Sequence, residues 1–245
     1  MAAIEHLAVV CNPSAGRGRG AAVGAQVSLQ LRQRDRSHSL EQPGDASATS
    51  ALLHDLAHDG VPTIIVGGDG LVHLAVNAFG GTMTPLGLVA AGTGNDFAGA
   101  LGLSVDVEQA VGTALDPPRG VDLLREHNTG VYVATVATFG FSASVNLRAN
   151  RMRFPRGSSR YTLATLAETV GLKSFPVSIV VDGHETSHQA LFVAIANTSR
   201  FGGGMKIAPN ADPTDNMAEV VVSPRRRVSP CSECCLKRSR APISN

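Results

Sequence analysis

Gly67, Gly68, Asp69 and Gly70 separate two apolar runs in the stretch PTIIVGGDGLVHLAVNAF, residues 62–79. Glycines let a backbone approach a ligand closely, because no Cβ intervenes. A helix opening straight after them offers unpaired N–H groups and a positive dipole end, which attract an anion. Asp69 would repel a phosphate there unless a metal ion, a nucleotide hydroxyl or a basic side chain stands between them. One such loop reads equally well as an ordinary tight turn. Two further junctions have the same character. CNPSAGRGRG carries Asn12, Ser14 and Gly16 with the cations Arg17 and Arg19, and AAGTGNDFAGALGL carries Gly92, Thr93, Gly94, Asn95 and Asp96.

These loops need elements to position them. HLAVVCN (6–12) is a short strand, and Val23, Val27 and Leu31 put a helical period on residues 21–34. Asp45 or Ser47 caps the next helix, ASATSALLHDLAH. VPTIIVGG is a strand, 71–79 a helix, and TPLGLVAAGTGNDF a strand that enters a glycine-rich turn and another short helix. Strands alternating with helices predict a parallel sheet, which places all three loops on the carboxyl edge, where ligands bind. None of them matches the G-x-x-x-x-G-K-[ST] pattern, and GTGNDF is only part of G-x-G-x-x-G.

From Gly120 the pattern becomes β-rich, in GVDLLRE, GVYVATVATFG, FPVSIVVDG and ALFVAIAN, with a helical interruption at 158–171, a hairpin at Asp182-Gly183 and a last strand at 219–223. The expected organisation is an α/β nucleotide-binding domain over 1–120, a mainly β domain over 121–222, and a basic tail without regular structure over 223–245.

The chain has 245 residues, 43% hydrophobic and 17% charged, a globular composition. No run has the length of a membrane span and the N-terminus has no signal-peptide pattern. Cys11 stands alone in the body while Cys231, Cys234 and Cys235 crowd the tail. That is no disulfide framework, and it points to a reducing cytoplasm. The tail from Ser223 holds six bases against one acid; with a total of +1, residues 1–222 carry −4. No interleaving of bases with aromatics points to nucleic acid. HETSH (184–188) matches H-E-x-x-H, but zinc proteolysis needs that motif on a helix, and both flanks are strand-like. The three tail cysteines lack a fourth zinc ligand nearby.

The segments NPSAGRGRG, VGGDG, PLGLVAAGTGNDFAGALGL and GGGMKIAPNADPTDN occur in an order that resembles the diacylglycerol kinase catalytic-domain family, soluble bacterial lipid kinases related to sphingosine kinases, over residues 6 to about 222. GGDG alone is shared with NAD kinases and 6-phosphofructokinases; GTGNDFA with APNADPTD is more specific, and argues against an NAD kinase-like enzyme. The resemblance implies an NAD kinase/diacylglycerol kinase-like fold, ATP with Mg²⁺, and phosphoryl transfer to the hydroxyl of diacylglycerol or a similar lipid. It implies peripheral contact with the inner face of the membrane, and it allows a homodimer. Asn12, Pro13, Ser14, Ala15, Gly16, Arg17, Gly68, Asp69, Gly70 and Thr93 would contact the nucleotide. Asp69 and Asp96 would form an acidic Mg²⁺ and nucleotide network, and Asp212 and Asp215 would lie by a structural metal.

Several positions depart from the family pattern. Leu71 stands where many relatives have Thr, His73-Leu74 where they have Asn-Glu, and Asn216 where they have Gly. The family's presumed general base lies in a late Asp-Gly-Glu segment, which this sequence lacks. A truncated or frame-shifted end, and an incomplete second domain, are therefore expected. The alternative to an active kinase is an inactive product that still binds nucleotide.

Overall fold

The computed structural model describes residues 6–140, 174–224 and 237–242. The helical interruption expected at 158–171, Arg225–Arg227 and the three tail cysteines lie outside them.

The first half is a four-stranded parallel sheet, β1 (Leu7–Cys11), β2 (His38–Glu41), β3 (Thr63–Gly67) and β4 (Leu86–Ala90), in the order β2-β1-β3-β4. All five residues of β1 and of β3 are buried, as a sheet covered on both faces requires. Their side chains alternate. Val9, Cys11, Ile64 and Val66 pack with Ala15 of the single turn α1 (Ala15–Gly18), Val27 and Leu31 of α2 (Gly20–Gln33) and Val111 of α6 (Val107–Leu115). Val10 and Ile65 pack on the opposite face with Leu53 of α3 (Ala46–His58) and Val72, Val76 and Phe79 of α4 (Asp69–Phe79). Each fully buried Val, Leu or Ile contributes about 1.5–3 kcal/mol, so this three-layer core fixes the sheet edge on which the loops sit. Asp45 caps α3, accepting a hydrogen bond from the Ala48 N–H at 2.8 Å. The polar strand β2, HSLE, escapes the sequence reading because it lies at the sheet edge and lacks the apolar run of its neighbours.

Chain order reverses across the β1–β3 pair: the connection from β1 leads outward to β2, whereas β3 and β4 follow on the other side. A crevice at the carboxyl ends of strands is expected at such a switch point.

After α5 (Asp96–Ala100), α6 and a short pair, β5 (Leu124–Arg125) with β6 (Tyr132–Val133), the chain becomes antiparallel. The second sheet contains β7 (Val136–Gly140), β8 (Phe175–Val181), β9 (His184–Ala196), β12 (Met217–Pro224) and β13 (Lys237–Pro242). The Asp182-Gly183 hairpin has a two-residue loop, with φ of 51° and 79° and Val181 opposite His184. Positive φ at both residues is the primed turn whose twist suits antiparallel strands. HETSH lies in β9, so His184 and His188 do not form the helical pair that zinc proteolysis needs. A small hairpin, β10 (Arg200–Phe201) with β11 (Met205–Lys206), leads from this sheet to the APNADPTD segment.

The strand β13 corrects the expectation that nothing after Ser223 is regular. Its residues 237–242 pair antiparallel with 217–222 of β12. An open β12 edge offers a row of backbone donors and acceptors, which recruits a strand without needing an apolar period. No helix among the described residues is long and apolar enough to cross a membrane.

Candidate functional site

The loops that follow β1, β2, β3 and β4 line one cleft of about 570 Å³. It gathers Asn12, Pro13, Ser14, Ala15 and Gly16 from the first loop, Gly68, Asp69 and Gly70 from the third, and Gly92, Thr93 and Gly94 from the fourth. The three glycine-rich junctions read from the sequence thus share one wall. Cys11, Leu71 and Leu74 also line it, and so do Pro43, Gly44, Asp45, Ala46 and Thr49 from the loop after β2 and the start of α3. Sequence reasoning missed these last as site residues, because QPGDAS reads as a plain helix entry. Arg17 and Arg19 are not among the lining residues. The Arg19 Nε donates to the Gly16 carbonyl at 3.2 Å, and Arg17 is exposed with φ 65°.

The first loop is shaped by its own atoms. The Asn12 Oδ1 accepts from the Ser14 N–H at 3.0 Å. Gly16 has φ 58°, and a Cβ there would sit 2.3 Å from the Ala91 carbonyl oxygen, so no other residue fits. The third and fourth loops touch glycine to glycine. A Cβ on Gly92 would lie 2.5 Å from the Gly68 Cα. Asn95, left-handed at φ 58°, locks the fourth loop by accepting from the Gly92 N–H at 2.9 Å and donating to the Gly92 carbonyl at 3.1 Å.

Asp69 occupies the first turn of α4, and its Oδ1 accepts from the Phe97 N–H at 3.3 Å. Burial pushes its carboxyl above the usual carboxylate range; the Phe97 N–H offsets part of that, and the neighbouring Asp96 charge adds to it. Asp96 itself is buried, and its role differs from its partner's. Its Oδ2 accepts from the Gly203 N–H and its Oδ1 from the Gly204 N–H, both at 2.7 Å. The carboxylate therefore binds the β10–β11 turn to the cleft. Nothing in the GGGM sequence announced that contact, since the amides belong to the backbone.

Asp212 and Asp215 lie in a separate turn. Asp212 accepts from the Thr214 N–H at 3.0 Å and from its hydroxyl at 2.7 Å, and Asp215 accepts from the Met217 N–H at 3.0 Å. Asp122 accepts from the Asn216 N–H at 2.7 Å, with Asn216 at φ 57°. Among the described residues no group of three or more His, Cys, Asp or Glu side chains is placed to hold a metal. Leu71 and Leu74 line the cleft while packing on the core, so two of the positions that depart from the family pattern give the cleft apolar rather than polar groups.

Comparison with known proteins agrees with this fold. Residues 6–125 match the diacylglycerol kinase catalytic domain, and residues 135–229 match the YegS C-terminal NAD kinase beta sandwich-like domain. The chain is 37% identical over 229 residues to "Diacylglycerol kinase" of Mycobacterium tuberculosis, covering 90% of this chain and 74% of that one. It is 27% identical over 206 residues to "Probable lipid kinase YegS-like" of Shewanella frigidimarina, covering 80% and 66%. In fold it resembles the crystal structure of a diacylglycerol kinase from Bacillus anthracis, with TM-score 0.76 at 20% identity over 98% of this chain and 85% of that one. With its parallel-sheet N-terminal domain and mainly β C-terminal domain, this chain belongs to the diacylglycerol kinase catalytic-domain family of lipid kinases.

Proposed function

We propose that the chain transfers the γ-phosphate of ATP to the hydroxyl of diacylglycerol or a similar lipid alcohol, acting peripherally at the inner face of a membrane. The observation that carries this reading is the convergence of the Asn12–Gly16, Gly68–Gly70 and Gly92–Gly94 loops on one cleft with Asp69 beside them. Close backbone approach, free N–H groups at the start of α4 and the helix dipole suit a polyphosphate. The acceptor hydroxyl oxygen forms the new bond to the γ-phosphorus, the bond to the β–γ bridging oxygen breaks, ADP leaves, and the hydroxyl proton is released to solvent. Such transfer depends on positioning and charge neutralisation rather than on covalent chemistry by the protein.

A Mg²⁺ ion fits this donor set, because Mg²⁺ is commonly held by one or two carboxylates together with substrate phosphates. Asp69 would hold it, and the ion would neutralise charge on the phosphates. Asp96 is engaged with the Gly203 and Gly204 amides and serves the site by ordering it.

The alternative reading is nucleotide binding without transfer. Purified protein, radiolabelled ATP and diacylglycerol in detergent micelles, with Asp69→Ala as control, test the first reading. Labelled phospholipid made only by the unsubstituted chain supports it. Calorimetric ATP binding with no transfer supports the second.

A further inference from the structure

We infer that Leu71 and Leu74 leave the sugar of the nucleotide unread, so that the cleft takes ribo- and 2′-deoxyribonucleoside triphosphates alike. The inference rests on the nucleotide-binding part of the reading above and names the substrate class of that site.

Three observations carry it. The first is position. Leu71 and Leu74 stand at i and i+3 on α4, on one face of the helix, and both line the cleft. Leu74 lies one turn beyond Gly70, and a turn rises about 5.4 Å. A nucleotide whose phosphates meet the Gly68–Gly70 amides brings the group next to them, the sugar, against these two leucines. Pro43, Gly44 and Ala46 line the same cleft from the start of α3, which packs on α4.

The second is fixity. Leu71 is buried, and Leu74 is half-buried on the core that holds Val10, Leu53 and Ile65. A Cβ on Gly67 would lie 2.7 Å from the Leu71 Cδ2, so this side chain is wedged against the end of β3. The apolar wall is part of the packed core and does not turn aside for a polar group.

The third is that polar side chains in this part of the cleft serve the protein itself. The Thr49 hydroxyl donates to the Asp45 carbonyl at 2.6 Å, and the Asp45 Oδ1 accepts from the Ala48 N–H at 2.8 Å. The Cys11 thiol donates to the Gly20 carbonyl at 3.2 Å.

A site that hydrogen-bonds a hydroxyl rejects the analogue lacking it, because its own polar group is then left unpaired. An apolar wall has no such group to strand. Binding strength then comes from the phosphates, which ATP and dATP share.

The test is calorimetric titration of the full chain with ATP and with dATP, in the presence of Mg²⁺ and without a lipid acceptor. The two Kd values should agree within about 5-fold. Leu74→Gln and Leu74→Glu each place a hydrogen-bonding group on the wall, and should raise the preference for ATP over dATP by about 2- to 10-fold. The ratio is the readout, since a carboxylate near phosphates weakens both ligands together, and thermal melting controls for folding. A preference for ATP above about 5-fold in the unsubstituted chain overturns the inference; an acceptor such as the second Asp45 oxygen then reads the hydroxyl. So does an unchanged ratio in both variants with native melting. If both nucleotides bind alike and no lipid is phosphorylated, the kinase reading fails and this inference stands. If neither nucleotide binds, both fall.

Discussion

The Asp69 carboxylate and Gly94 occupy space that only a glycine leaves free: a Cβ at position 94 would sit 2.8 Å from the Asp69 Oδ2. Gly94 has no positive φ, so its backbone tolerates alanine. Gly94→Ala should therefore displace the end of the Asp69 side chain and leave the fold in place. Phosphate transfer should fall about 10- to 100-fold, as misplacement of a positioning group by an ångström does. The melting temperature should move by less than about 3 °C. Gly92→Ala is the contrast. Its Cβ would meet the Gly68 Cα at 2.5 Å, backbone against backbone, and should destabilise by about 1–3 kcal/mol in denaturant titrations.

Asp69 should limit stability as well as supply function. Its carboxyl is pushed above the usual range, chiefly by burial. A carboxyl raised on folding binds its proton more tightly in the native than in the unfolded state. The free protein is thus destabilised as pH rises through the ordinary carboxylate range, and fully so above the raised native value. Asp69→Asn should then melt about 1–3 °C higher than the unsubstituted chain at neutral pH, with the gain vanishing in acid. Transfer activity should drop at least about 100-fold. Melting curves across pH, with the kinase assay beside them, check both halves.

Asp96 is expected to be needed for stability and for the cleft together. Asp96→Ala removes two charge-assisted bonds and leaves the Gly203 and Gly204 amides without that acceptor. A loss of about 3–5 kcal/mol should appear in denaturant titrations. Asp96→Asn keeps one acceptor and should lose about half as much. Hydrogen exchange at the Gly203 and Gly204 amides should accelerate in both variants. Unchanged exchange would show that the carboxylate does not hold the turn.

The far end of the helix that begins at Asp69 is tied to β6 through Asn77. The Asn77 Oδ1 accepts from the Tyr132 N–H at 2.8 Å, and its Nδ2 donates to the Tyr132 carbonyl at 3.0 Å. The amide thus imitates a strand neighbour for β6. Asn77→Ala should destabilise by about 1–3 kcal/mol, because two partly buried backbone groups lose their partner. Asn77→Asp should be nearly as harmful, since it cannot donate to the carbonyl. Thermal melting of both variants tests this.

Much of the first domain was legible in the sequence, for a physical reason. VVC before NPSAG, IIV before GGDG and LVA before AGTGND are fully apolar runs that stop at glycine-containing loops, and such runs suit buried strands broken by loops. The edge strand β2 was not legible, because His38–Glu41 needs no apolar run at a sheet margin. The strand β13 was hidden for a similar reason, since pairing with the backbone of β12 needs no apolar period.

The chemistry of the loops was determined by residue type alone: glycine where a backbone must come close, Asp69 where charge must be handled, and the order of motifs that marks the family. What tertiary structure decided was who meets whom. Pro43, Gly44 and Thr49 became cleft residues because β2 lies beside β1. Asp96 became the holder of a turn 107 positions further along the chain. Local pattern encodes the conformational preference of a segment, whereas contacts between distant backbone amides and carboxylates leave no periodic trace in the chain, and appear only when the fold closes.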